Sequence, residues 1–352
     1  MLALLPCGCA LAPLSPAAAA DSTPAVVDAR RDFAVLFAQA LARHRGVGHA
    51  SQWLNGVDAM PADTPEARQR RQRFAAHAAH SAVLIVPGLF GDCVSAQSVP
   101  FGDGEMRSAA RSPTEAYARY AALGLHTLRM VPLPGRANAA DNGARLAEAV
   151  RAETARTGVR RLVLVGYSKG VTDTLHALVQ LEAERTLPRV PISLVSVAGL
   201  VHGSLLVQQY ERLYEALLPS GALLDCTPSD GRELRDLTPE AMAAWWQRHR
   251  LPRSVRTYSV TAHAPREETA PALRPFHDTL AAIDVHNDGQ LIAPHALLPG
   301  SVWLAEARSD HWGIALPLDR HPSALLRALA SQRAYEREAL LTALLWWVIG
   351  EH

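Results

Sequence analysis

Residues Val163 to Gly170 read Val-Leu-Val-Gly-Tyr-Ser-Lys-Gly. An apolar, β-branched run followed at once by Gly-x-Ser-x-Gly is the pattern of a strand, a sharp turn and a helix, with the serine at the tip of the turn. The turn lifts the Ser168 hydroxyl clear of the sheet. Gly166 and Gly170 leave out the Cβ atoms that would strike the neighbouring strand and helix. Nucleophilic catalysis is the chemistry such a serine can do. Its hydroxyl is a weak nucleophile at neutral pH, so it needs a base to take its proton, a carboxylate to orient that base, and donors for an oxyanion.

Those partners belong in loops at the carboxyl ends of other strands. His311, in Glu306-Ala307-Arg308-Ser309-Asp310-His311-Trp312-Gly313, follows the last strand the pattern allows and is the candidate base. His263 and His202 also follow strands and compete for the role. Asp288 lies in the turn signal Asn287-Asp288-Gly289 and precedes the histidine, which gives the chain order Ser, Asp, His. Asp284 and Asp310 are the alternative acids. Oxyanion donors are expected from the backbone N–H of Lys169, the residue after the nucleophile, and from the loop Pro87-Gly88-Leu89-Phe90-Gly91, with Leu89 nominated. The Lys169 side chain diverges from Ser168 on a tight turn, so it is expected in solvent rather than in a Ser-Lys dyad. Asp173, on the helix that follows, reads as a surface or helix-packing polar residue. No His/Cys cluster has metal-ligand spacing and no Gly-x-Gly-x-x-Gly follows a strand, so no cofactor or metal is expected.

The elements around these residues alternate. Strands are predicted at Ser81 to Val86, His126 to Pro132, Arg161 to Val165, Ile192 to Ala198, Val255 to Thr261 and Ser301 to Glu306. Helices are predicted at Pro113 to Leu123, Asn142 to Thr157, Val171 to Glu184 and Ser323 to Val348. Strands separated by helices imply an α/β fold with a mainly parallel sheet covered on both faces. Ahead of the first clear strand, Ala25 to Arg45 and Thr64 to His80 show helical spacing, an amino-terminal helical extension over residues 21–80. Between Gly203 and Arg250 the alternation breaks into helical segments around a polar loop. Their Leu206, Tyr210, Trp245 and Trp246 either line a pocket or pack that insertion onto the core.

The 352 residues are 49% hydrophobic and 20% charged, ordinary for a globular protein with a large core. The net charge of +1 excludes a general nucleic-acid or anionic-membrane binder. Residues 1–20 carry no charge and end in Ala17 to Ala20, which resembles the apolar core and cleavage region of a secretory signal without its usual positive start. Export to the periplasm or medium is therefore expected. Cys93 and Cys226 would then remain, as one disulfide or as two buried thiols. No later stretch is apolar for the ~18 residues of a membrane span.

From Ser81 to Leu316 the chain resembles the α/β-hydrolase superfamily, and within it the bacterial lipases and their esterase relatives. Val86-Pro87-Gly88-Leu89-Phe90-Gly91-Asp92 is similar to the lipase oxyanion loop, Asn142-Gly143 and its helix to the stretch leading to the nucleophile, and Gly166 to Gly170 to the elbow itself. Asn287-Asp288-Gly289 and Asp310-His311 are similar to the acid and histidine segments. The resemblance implies Ser168 as nucleophile, Asp288 as orienting acid, His311 as base, and Leu89 and Lys169 as oxyanion donors. Phe90 and Tyr167 become candidate contacts for a small-molecule or lipid ester. Residues 81–352 become the hydrolase domain, with a cap or lid at about 203–250. Pro87, Tyr167 and Lys169 depart from the family's usual residues, and the amino-terminal extension has no counterpart. The implied activity is hydrolysis of carboxylic esters through an acyl-enzyme. An acyltransferase or thioesterase on the same scaffold and a non-catalytic binding protein are the alternatives.

Overall fold

The computed structural model describes residues 25–45, 50–57, 63–89, 99–102, 115–207, 232–320, 324–328 and 330–351. The expected leader, Phe90, Cys93, Cys226 and half of the expected cap, residues 208–231, lie outside the described residues.

Seven parallel strands form one sheet: β1 (Val27–Asp28), β2 (Ser81–Val86), β3 (Thr127–Met130), β4 (Arg161–Tyr167), β5 (Ile192–Val197), β6 (Val255–Ala262) and β7 (Val302–Ala307), in the order β1-β7-β6-β5-β4-β2-β3. The period-2 alternation of side chains divides their apolar residues between two layers. Val83 and Ile85 of β2, Val163 and Val165 of β4 and Val195 of β5 point to one face; Ala82, Leu84, Leu162, Leu164 and Leu194 point to the other. Register pairs Val83 with Val163 and Val165 with Val195, so each layer runs unbroken across the sheet.

Helices cover both layers, as the unbroken apolar runs of a parallel sheet require. On the first face lie α1 (Arg30–Arg45), α2 (Pro65–His77) and the carboxy-terminal helix; on the second lie α3 (Ala139–Thr154), α4 (Lys169–Ala183) and α5 (Pro239–Arg248). A further helix, α6 (Arg274–Ala281), precedes the loop that carries Asp288, and α7 (Arg337–Ile349) is the carboxy-terminal helix. The amino-terminal segment shares the core of the sheet. Phe33, Leu36 and Phe37 of α1 are buried in the same cluster as Leu344 and Trp347 of α7, and each such side chain contributes about 1.5–3 kcal/mol by leaving water. Arg70 of α2 stacks over Trp347 at 3.8 Å.

The stretch predicted as a helix to Leu123 is a 3-10 run over Glu115–Leu123, kinked at Tyr117, and three further elements differ from expectation for local reasons. The helix predicted from Ala25 starts at Arg30, because Val27 and Asp28 pair with β7 and the Asp28 carboxylate takes the Arg30 amide at 3.0 Å. The strand predicted to end at Val165 runs on through Gly166 and Tyr167, which pair with Ser196 and Val197. The single carboxy-terminal helix predicted from Ser323 is a short turn at Ala324–Ala328 and then α7. The break is held by side chains: Ser331 donates to Asp310, Arg333 faces Glu268 at 3.6 Å, and Arg337 grips Asp319. In the insertion, Trp245 is buried beside His176 of α4 at 5.3 Å, and Trp246 donates its indole N–H to Val201 O at 2.8 Å. Both tryptophans thus brace α5 on the sheet. Among the described residues, no helix is long and apolar enough to cross a membrane.

Candidate active site

Ser168 sits between β4 and α4 with φ 54° and ψ −126°, a backbone region that costs a non-glycine residue about 1–3 kcal/mol. The strain is held by three backbone bonds: Ser168 N–H donates to Val197 O, and Ser168 O accepts from Val171 and Leu200. Gly170 makes the bend sterically feasible, since a Cβ there would lie 2.4 Å from Val86 O and 2.5 Å from Pro87 O. The loop after β2 therefore presses directly on the bend. A Cβ on Gly88 would come within 2.9 Å of the Ser168 Cβ.

His311 arrives from β7, separated from β4 by β6 and β5. At about 4.8 Å per strand its loop must reach back roughly 14 Å. Polar anchors hold it there. Asp310, fully buried, accepts from Ala270 N, Gly313 N and Ser331 Oγ at 2.6–2.7 Å. Tyr167, the residue before Ser168, donates its hydroxyl to His311 O at 2.8 Å, and its ring lies 5.4 Å from the imidazole. Burial, with Asp288 and Asp310 adding to it, pushes the Tyr167 phenol well above its usual range, so it remains a donor.

The Ser168 Oγ is 2.9 Å from His311 Nε2, and His311 Nδ1 is 2.7 Å from Asp288 Oδ2. Asp288 Oδ1 accepts from the Gln290 and Leu291 amides at 2.8 and 2.7 Å, and Asp288 O accepts from His311 N at 2.8 Å. A carboxylate so placed offers only acceptors, so Nδ1 carries the ring proton and Nε2 is left to accept from the serine. All three side chains are at least 95% buried. Lys169 is the first residue of α4; its N–H has no partner inside the helix and belongs to the positive end of the helix dipole. Leu89 is half-buried against the apolar cluster that includes Leu200, Leu237 and Leu291.

The competing residues are engaged elsewhere. Asp284 caps the His286 amide, and Asp310 serves the anchors just described. His263 faces Glu306 at 3.4 Å, and His202 packs against Trp246 and His295. Tyr167, expected to contact substrate, is 4% exposed and donates its hydroxyl to the His311 carbonyl. Lys169 is the plain correction: its side chain is fully buried, not solvated, with Nζ 2.6 and 2.9 Å from the Asp173 carboxylate. Its partner one helical turn on draws it inward. Asp173 is a helix-packing residue, also bonded to Asn142 of α3. The supports from Tyr167 and Asp310 carry no sequence signal beyond adjacency to the serine and the histidine. Among the described residues, no group of His, Cys, Asp and Glu could hold a metal ion.

No family model and no curated protein matches the chain. Solved structures do. The metagenomic carboxyl esterase MGS0156 is 31% identical, with 93% of each chain covered and a TM-score of 0.73. The chain belongs to the α/β-hydrolase superfamily, with an esterase/lipase-like fold. Two further similar structures are the mature Bacillus licheniformis lipase BlEst2 (21% identity, 66% of this chain and 86% of that one, TM-score 0.49) and phospholipase PlaB from Legionella pneumophila (15%, 77% and 64%, 0.42). In this α/β-hydrolase the serine, histidine and aspartate come from the carboxyl ends of the sheet, where open α/β folds place their ligands.

Proposed function

We propose that the protein is a serine hydrolase of carboxylic esters. The reading is carried by the unbroken hydrogen-bond line Ser168 Oγ, His311, Asp288, with the serine held on a strained bend. Its relative MGS0156, a carboxyl esterase over nearly the whole chain, supports the ester as substrate. Ser168 Oγ attacks the carbonyl carbon while His311 Nε2 takes its proton. The carbonyl oxygen becomes an oxyanion and is met by the Lys169 and Leu89 amides, donors of a kind worth about 3–4 kcal/mol each. Asp288 steadies the imidazolium. His311 then protonates the leaving alcohol, the C–O bond breaks, and Ser168 is acylated. Water, deprotonated by His311, attacks the acyl carbon; the acid leaves and Oγ regains its proton. No cofactor enters these steps.

Fluorophosphonate labelling with peptide mapping tests the nucleophile, together with p-nitrophenyl ester turnover by Ser168→Ala. The adduct is expected on Ser168, and the variant is expected to be inert. A labelled residue elsewhere, or turnover that survives Ser168→Ala, would refute the assignment.

A further inference from the structure

Lysine and arginine together number 35 in this chain, and the single lysine among them is Lys169. It stands immediately after the nucleophile, at the first residue of α4, and is fully buried. We propose that the Lys169–Asp173 ion pair, tied through Asn142 to α3, positions the Lys169 backbone N–H against the oxyanion. The proposal rests on the serine-hydrolase reading above.

The pair spans the first turn of α4, with Nζ 2.6 and 2.9 Å from the two carboxylate oxygens. Asp173 Oδ2 also accepts from Asn142 Nδ2 at 2.9 Å, and the same amide group donates to Pro134 O at 3.0 Å. The amino terminus of α3 is pinned in turn, because Ala139 N donates to Asp236 Oδ2 at 3.0 Å. The turn that presents the N–H is therefore fastened at its side chain to a second helix. Burial pushes the Asp173 carboxyl up, and the Lys169 ammonium opposes that push. Buried ion pairs add little net stability, because the loss of hydration offsets their attraction. A chain that elsewhere uses arginine has therefore placed its one lysine where stability gains least. Lysine places a compact point charge on a flexible stem in this enclosed turn, where the other cations of the chain are planar guanidinium forks. Thr172 Oγ1 donates to Leu200 O and Thr174 Oγ1 to Gly170 O. These bonds hold the turn independently, so removing the pair loosens it without unfolding it.

The test is the double variant Lys169→Met/Asp173→Leu, which replaces the pair by apolar side chains and leaves no buried charge. Its unfolding midpoint is expected near that of the unaltered protein. Its kcat for p-nitrophenyl acetate is expected to fall about tenfold at unchanged KM, a modest fraction of what loss of a whole oxyanion donor costs. Affinity for phenylboronic acid, whose tetrahedral adduct with Ser168 puts an oxygen in the oxyanion position, should fall by the same factor. Asn142→Ala keeps the pair but unties it from α3; about a threefold loss of kcat at constant KM is expected, in line with one lost hydrogen bond. A folded double variant with kcat and boronate affinity within twofold of the unaltered protein overturns the proposal, as does unaltered kcat in Asn142→Ala. Ser168→Ala separates the two levels. If it is inert while the double variant is unaffected, only this inference falls; if Ser168→Ala remains active, both fall.

Discussion

Two carboxylates are buried to 1% exposure beside the Ser168 bend, each facing a basic partner, and the pairs are built for different work. Asp288 lies in a loop at the carboxyl end of the sheet and faces an imidazole, whose two nitrogens can each donate or accept. Asp173 lies in a helix and faces an ammonium, which can only donate. Asp288 has two backbone amides to hold it in place whatever the state of the ring; Asp173 has the ammonium and one side-chain amide. In the proposed mechanism, the moving proton is thus served from loops, and the fixed charge from the helix. Residues of one type acquire separate roles from the donors around them.

Asp288→Asn should break the first pair most severely. The asparagine oxygen can keep the Gln290 and Leu291 amides, which leaves its NH2 facing Nδ1 of His311. The ring then takes the other tautomer, Nε2 becomes a donor, and Ser168 loses its base. A fall of kcat by about 10³–10⁴ is expected with the fold retained, measured as ester turnover alongside urea unfolding. Asp310→Asn is the control: it removes an acceptor of Gly313, Ala270 or Ser331, destabilises by about 1–3 kcal/mol, and lowers kcat far less. Equal losses in the two variants would erase the distinction between the acids.

The second pair should break in the opposite sense. Asp173→Asn leaves the ammonium buried without its counter-charge, and a stability loss of about 3–5 kcal/mol is expected by urea unfolding. If Asp288→Asn proves as destabilising as Asp173→Asn, the helix pair is no more structural than the loop pair.

The features legible in the sequence were those set by neighbours along the chain. Val163 to Gly170 declares a strand, a bend and a helix because β-branched residues, two glycines and a helical apolar spacing follow one another without interruption. Strands separated by helices imply a mainly parallel sheet, and the seven strands pair in parallel throughout. What escaped depends on residues brought from far away. Asp173 is visible four positions from Lys169, but the burial of their pair is made by Asn142 and the elements packed over α4. The break before α7 depends on Asp310 lying against Ser331, a contact across 21 positions. The Tyr167 hydroxyl is likewise committed to a carbonyl 144 positions away, a partner that adjacency to Ser168 does not reveal.

A third basic group on α4 sharpens the contrast. His176, two turns beyond Lys169, has no carboxylate partner among the described residues and lies against Trp245. Burial, reinforced by His249 and Lys169, lowers its pKa to about 4. Its folded value is therefore depressed: the ring is neutral in the folded protein, while the unfolded chain takes up a proton near the ordinary 6.5. Stability from this group is complete above that pH and is lost as pH falls towards 4, by up to about 3 kcal/mol. His202 and His295 shift the same way through burial. In His176→Asn the slope of unfolding free energy against pH between 7 and 4 should flatten. A slope that does not change would mean the site is open to protons, and that α4 tolerates charge without a partner.

Tyr167→Phe probes the smallest effect, the tether between the serine's strand and the histidine's loop. The variant keeps the ring against the imidazole and deletes one buried hydrogen bond, leaving the His311 carbonyl without this donor. A stability loss of about 1–1.5 kcal/mol is expected. The catalytic effect should be a few-fold loss in kcat, because Asp288 still holds the ring through Nδ1 and the backbone through His311 N–H. KM should not move, since the hydroxyl is turned to the histidine. A rise in KM with kcat unchanged would return Tyr167 to the substrate side of the site, and the histidine loop would then be held by Asp288 and Asp310.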